Sequence, residues 1–205
     1  MKTLIRESDQ ALHATQSASG EFCFRSCHGS LRAKGIFKRI TTAAEAGGAA
    51  LQQQVMQALK QARAAGQAAP VVVGAIPFDT RQPSCLYVPE QAIRFDRSIA
   101  PVRIAPVSAG AVLQRRDLPE EGLFKRAVAS AVSAFRSGEL EKAVLSRLLE
   151  LEFDKPPQPA AVFNRLQQLN PEAFHFSLPL PCGGELIGAS PELLLLKRGN
   201  RFLSN

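Results

Sequence analysis

The sequence predicts an α+β fold with a largely antiparallel sheet. Three observations carry that expectation. Short β-branched and aromatic runs such as Val71-Val72-Val73 recur between turn residues. Three longer segments instead space their apolar side chains at the helical period. The second half orders strand, helix, strand, strand, strand, without the strict alternation that builds a parallel sheet.

Residues 1 to about 20 are small and polar, and read as a loosely tied or helical lead. Phe22 to Arg25 begins strand-like, and Gly35 to Ile40 is a second strand. Between Gly48 and Gln67, Leu51, Val55, Leu59 and Ala62 fall on one helical face, and Ala65-Gly66 supplies the stop. Pro70 to Phe78 reads as a buried strand, Asp79 to Ser84 as a turn, and Leu86 to Pro89 as a short edge strand. Residues Ala100 to Asp117, with Pro101, Pro106 and Gly110, read as the connection between two halves.

A helix is expected from Pro119-Glu120-Glu121, where proline and acids suit a first turn, to Ser137-Gly138. Its apolar face is Phe124, Val128, Ala131, Val132 and Phe135. A strand is expected from about Glu141 to Phe153, followed by a helix over Pro159 to Asn170 with Val162, Leu166 and Leu169 inward. Strands near Phe174 to Leu178, Glu185 to Ala189 and Leu193 to Lys197 complete the pattern, with a hairpin turn at Arg198-Gly199-Asn200. Arg201-Phe202-Leu203 then starts a returning strand that stops at Asn205. An apolar strand left at an edge invites aggregation, so either another segment covers it or the chain is cut short.

A chain of 205 residues with 45% hydrophobic and 21% charged residues can bury a sizeable core. The net charge of +7 would suit a phosphate or carboxylate partner, but the basic residues are scattered, which argues against nucleic acid. No apolar run approaches the ~20 residues that cross a bilayer, and no signal peptide opens the chain, so the cytoplasm is expected. Cys23, Cys27 and His28 lack the second ligand pair of a closed zinc site and read as ordinary thiols beside a histidine.

Common nucleotide, nucleophile and metalloprotease motifs are absent, and His13, His28 and His175 have no sequence partner that would make a triad. Two residues stand out. Lys142 falls inside the expected strand, where desolvation would lower a lysine's proton affinity and let it act as a base. Glu192 follows Ser190-Pro191 at a bend, where a partly apolar pocket would raise a carboxyl's affinity and let it act as an acid. Each also has an ordinary reading, a snorkelling lysine and a solvated turn acid.

Val73-Gly74-Ala75-Ile76-Pro77-Phe78-Asp79-Thr80-Arg81-Gln82-Pro83-Ser84, then Lys142-Ala143-Val144-Leu145-Ser146-Arg147, then Leu186-Ile187-Gly188-Ala189-Ser190-Pro191-Glu192-Leu193-Leu194 resemble, in order and spacing, the isochorismate synthases of siderophore pathways. These belong to the chorismate-utilising enzymes. The resemblance runs from about Phe22 onward and implies a sheet-sandwich core with flanking helices. It gives Lys142 the role of general base that activates water for attack at C2 of chorismate, and Glu192 that of general acid to the departing C4 hydroxyl. Lysine at 142 implies the water-adding branch, with isochorismate as product on the way to 2,3-dihydroxybenzoate, and salicylate synthase as the alternative. It further implies Mg2+, a monomer when full length, and a chain about twice as long. By that measure residues 1–105 form an N-terminal part and 118–205 the start of a catalytic core whose second half, with the Mg2+ ligands, is missing. The chain alone is therefore expected to be inactive, or a non-catalytic remnant.

Overall fold

The computed structural model describes residues 21–45, 48–95, 110–181 and 183–204. The N-terminal lead and most of the 100–117 connection lie outside them. The described residues fall into two units, one from Met1–Pro106 with Pro159–Asn205 and one from Val107–Gln158.

The first unit holds a five-stranded antiparallel sheet. Strands β1 (Phe22–Ser26), β2 (Gly29–Lys34), β6 (Gln91–Phe95), β9 (Phe174–Pro179) and β10 (Glu185–Ser190) stand in the order β10-β9-β1-β2-β6. Because side chains alternate across a strand, the register assigns each residue a face. Phe22 opposes Ala33 and Phe24 opposes both Leu31 and Phe176, giving one apolar face. Cys23 opposes Ser177, and Arg25 opposes His175 and Ser30, giving one polar face.

The apolar face packs on a second, three-stranded sheet in the order β3-β5-β4, made of β3 (Lys38–Ile40), β4 (Val73–Ala75) and β5 (Cys85–Val88). Phe22, Ala33, Val71, Val73, Tyr87 and Leu178 form the core between the sheets. On the outer side of the smaller sheet lies helix α1 (Gly48–Ala64). It buries Ala58 and Ala62 against Ile40 and Val88, with Leu51, Val55 and Leu59 beside them, as the helical spacing requires. Backbone bonds from Gly66 to Arg63 and from Gln67 to Ala62 close its end.

Helix α3 (Pro159–Leu169) covers the polar face of the larger sheet and packs on β9 and β10. Its buried residues are Phe163, Asn164 and Gln167, whereas Leu169 is 58% exposed, so the inward face is rotated from the expected 162/166/169 stripe. The surface beneath explains the rotation. Arg25 and His175 line it, and they are met by an amide and an aromatic edge instead of leucines. Arg25 Nη1 donates to Gln167 Oε1 at 2.7 Å, and Phe163 stands edge-on to His175 with centroids 6.4 Å apart. Burial of Phe163 stabilises this contact by about 1.5–3 kcal/mol.

The second unit is β7 (Val112–Leu118), α2 (Glu121–Arg136) and β8 (Leu148–Phe153), with β7 and β8 paired from Val112↔Phe153 to Leu118↔Leu148. None of its described residues is buried. The apolar face of α2 is largely open, with Val128, Val132 and Phe135 each about two-fifths exposed (38%, 40% and 39%).

Several strand limits differ from the sequence expectation. β2, β6 and β7 do not follow from the sequence pattern, and the Pro70–Phe78 run forms a strand only at Val73–Ala75. β5 sits in the centre of its sheet, not at an edge, because β3 and β4 flank it on both sides. The 141–153 strand begins only at Leu148, and the expected Leu193–Lys197 strand is reduced to β11 (Leu196–Arg198), paired with β12 (Arg201–Leu203) through the expected hairpin. Among the described residues no helix is long and apolar enough to cross a membrane.

Two substitutions test this arrangement. Gly74 adopts φ +136°, and a Cβ there would strike the Cys85 carbonyl across the β4–β5 pair. Gly74→Ala should lower stability by ~2 kcal/mol or more, read as a drop in the thermal midpoint. His175 is held neutral first by burial; the Leu166 and Asn170 backbone groups oppose the shift, and Arg25 adds to it. Its folded proton affinity lies below the unfolded value of about 6.5, so it contributes stability above that pH and loses it as pH falls through the unfolded value towards the folded one. The thermal midpoint should therefore decline between about pH 7 and pH 5, and decline less in His175→Asn.

Candidate functional site

Glu192 is positioned by the end of β10. The strand pairs with β9 through Ser190↔Phe174, and Pro191 then removes an N–H and turns the chain. The Ser190 hydroxyl closes this turn. Its Oγ accepts the Glu192 backbone N–H at 3.2 Å and donates to the Glu192 carbonyl at 3.3 Å. Sequence reasoning missed the part Ser190 plays in shaping this turn, although a serine two residues before the acid is the signal of a local side-chain turn. The Glu192 carboxylate is exposed.

The approach to the turn is fixed from below. Gly188 lies opposite Phe176, and a Cβ on it would run into the phenyl ring. The glycine of the Gly188-Ala189-Ser190-Pro191-Glu192 stretch therefore lets β10 and an aromatic side chain approach closely.

Lys142 is not in a strand. Residues 142–147 form neither helix nor paired strand among the described residues, and the lysine is exposed. The reason lies in the partner strand. β7 ends at Leu118 opposite Leu148, and Pro119 next to it has no N–H to continue the ladder and leads into α2. Desolvation by a sheet, the physical ground for a basic lysine, is thus not supplied here. The other end of the Lys142–Arg147 stretch is anchored. The Arg147 guanidinium lies over the Phe124 ring at 5.8 Å and reaches Asp117 at 3.5 Å. Sequence reading missed this three-element clasp, because Asp117, Phe124 and Arg147 carry no shared spacing.

Lys142 belongs to the second unit and Glu192 to the first. A shallow depression of about 310 Å³ on the β7–β8 pair is lined by Gln114, Arg116, Glu150, Leu151 and Glu152, and contains neither candidate. Of the Cys23–Cys27–His28 cluster, Cys23 is buried in β1 and Cys27 is exposed in the following turn. Among the described residues no group of three or more His, Cys, Asp or Glu side chains is placed to hold a metal ion.

Loss of the Ser190 hydroxyl should loosen the Glu192 turn without unfolding the sheet. Ser190→Ala is expected to cost about 0.5–1.5 kcal/mol and to speed amide exchange at Glu192 selectively.

Comparison with known proteins places these elements. Residues 102–205 match the family described as chorismate binding enzyme. A relative from Aeromonas hydrophila is 42% identical over 95% of this chain and 50% of its own length. Isochorismate synthase EntC of Escherichia coli (strain K12) is 38% identical over 100% of this chain and 54% of its own. The crystal structure of DhbC from Bacillus anthracis superposes with a TM-score of 0.76 at 26% identity, over 96% of this chain and 50% of that one. The chain thus spans about half the length of the relatives it matches.

Proposed function

The chain belongs to the chorismate-binding enzyme family, and we propose that it contributes the acid and base of an isochorismate synthase acting on chorismate. The observation that carries this reading is the joint presence of the Lys142–Arg147 and Gly188–Glu192 stretches in a chain 38% identical to EntC from end to end.

In the proposed reaction Lys142 Nζ takes a proton from water as the water oxygen bonds to C2 of the chorismate ring. Both ring double bonds shift by one position, C1=C2 to C1=C6 and C5=C6 to C4=C5, the C4–O bond breaks, and Glu192 gives its proton to the departing hydroxyl, which leaves as water. One water is consumed and one released, so the change is an isomerisation and runs in both directions. Lysine serves as a base only where desolvation has lowered its proton affinity. The exposed positions of Lys142 and Glu192 set a condition on this reading: both side chains have to be enclosed around the substrate before the chemistry.

The resemblance implies Mg2+, an ion that would neutralise a substrate carboxylate and orient it. Among the described residues no three His, Cys, Asp or Glu side chains stand together as a ready-made metal cluster, and no step is routed through the ion. A place in siderophore synthesis by way of 2,3-dihydroxybenzoate, a cytoplasmic setting and a monomeric state belong to the same proposal. So does the division into an N-terminal part, 1–105, and the start of a catalytic core, 118–205, and so does inactivity of the chain when isolated.

The test follows oxygen. A protein comprising this chain and the remaining length of its relatives, given chorismate and Mg2+ in 18O-water, should form isochorismate labelled at C2. Lys142→Ala and Glu192→Gln should each lower kcat by about 10²–10⁴-fold. Unlabelled product, or full activity in Lys142→Ala, would exclude the lysine-activated water. The 205-residue chain alone should give no turnover under the same conditions.

A further inference from the structure

Under α3 the five-stranded sheet carries a row of side chains running straight across three strands: Ser30 on β2, Arg25 on β1 and His175 on β9. Neighbours in such a row stand about 4.5–5.5 Å apart at Cβ. Gln167 closes the row from the helix above, bonded to Arg25. All four are more than nine-tenths buried, at 6%, 7%, 3% and 6% exposure for Ser30, Arg25, His175 and Gln167.

Three buried polar atoms in this group have no partner among the described residues: Ser30 Oγ, Gln167 Nε2 and His175 Nε2. Each belongs to a residue directly beside Arg25. A buried unsatisfied polar atom costs ~1–3 kcal/mol, and three stand around one guanidinium. His175 also faces the Leu166 and Asn170 backbone groups. On β1, Cys23 shares this face, and burial keeps its thiol protonated. Arg32 on β2 is paired with Glu21 at 2.7 Å. On β10 the nearest acid, Glu185, is bonded to Ser177, which stands two residues, roughly 7 Å, along β9 from His175 on the same face. Helix α3 contributes only Arg165, which is exposed, and Glu172 beyond it is exposed as well. No carboxylate of the described residues is paired with Arg25.

The donors fit an anion. The Gln167 amide is oriented by its bond to Arg25, which leaves Nε2–H as a donor, and the Ser30 hydroxyl supplies another. His175 adds a third when Nε2 carries a proton. We propose that Arg25, Gln167, Ser30 and His175 form a buried site that takes up one small monovalent anion, such as a halide, together with a proton on His175. Burial opposes a second positive charge beside Arg25, and the anion removes that opposition, so anion binding and protonation favour each other. At higher pH the same space holds water, which gives a hydrogen to the Nε2 lone pair and accepts from Gln167.

Bromide provides the probe. Crystals of the 205-residue protein grown in sodium bromide at pH 5 should show an anomalous peak bounded by these four residues, and a weaker or absent one at pH 8. In solution at pH 5, bromide at about ten times its dissociation constant should raise the thermal midpoint by roughly 3–6 °C relative to gluconate at equal ionic strength. The apparent affinity should fall by up to ~10-fold per pH unit above the His175 titration. His175→Asn should abolish that pH dependence, and Gln167→Leu should weaken the stabilisation. An ordered water without anomalous signal at both pH values would overturn the proposal. So would equal halide stabilisation at pH 5 and pH 8. A peak at high bromide with no saturable stabilisation would mark an adventitious ion only, and would overturn it equally.

Discussion

The pairing of β1 with β9 is the constraint on which the first unit rests. It joins Cys23, Phe24 and Arg25 to Ser177, Phe176 and His175 in an antiparallel ladder. Everything else in the larger sheet hangs from one side of that seam: β2 and β6 from β1, β10 from β9. The register also sorts the side chains. Phenylalanines fall on the face that meets the smaller sheet, and arginine, histidine and serine fall on the face that meets α3. A slip of one residue would exchange the two faces, putting Arg25 into the apolar core and Phe24 under Gln167. The polar layer thus raises the cost of every register but one.

The second unit is held differently. Its β7–β8 pair is tied across the strands by a surface ion pair, Arg116 with Glu150, and flanked by the Arg147 clasp, pairs that are each worth little in water. Hydrophobic burial, the usual source of stability, is hardly used there. Leu113, Val144 and Leu148 are 64%, 82% and 65% exposed. The stretch that carries Lys142 therefore lies in the less constrained part of the molecule, and the stretch that carries Glu192 ends a strand of the better constrained part.

What is legible in the sequence follows physical scale. Helices α1 and α2 and the β9–β10 pair are readable because each announces itself locally, by period, cap or turn. The strand limits are not, because a strand needs a partner and the partner is remote. Val144 and Leu145 have every local reason to be in a strand, and Pro119, over twenty residues away, denies them one. The face of α3 escapes the sequence for the same reason. Only the sheet beneath makes Gln167 a better inward residue than Leu169. For the site, the identity of Lys142 and Glu192 comes from ordered stretches of sequence. The Ser190 bonds that shape the turn and the Arg147 contacts that end the lysine segment require coordinates.

The seam between β1 and β9 also has a consequence in time. Arg25 and Gln167, which meet across it, are separated by 142 residues of chain. At a synthesis rate of about 5–20 residues per second, β1 is made roughly 7–28 s before the helix and strand that cover it. Through that interval β2, β6 and the smaller sheet are already made and can pair with and cover β1, but its outer edge stays open for want of β9. The ribosome thus releases a sticky half-sheet long before its closing strand, and the yield of folded protein should depend on how well holdase chaperones shield that edge while translation continues.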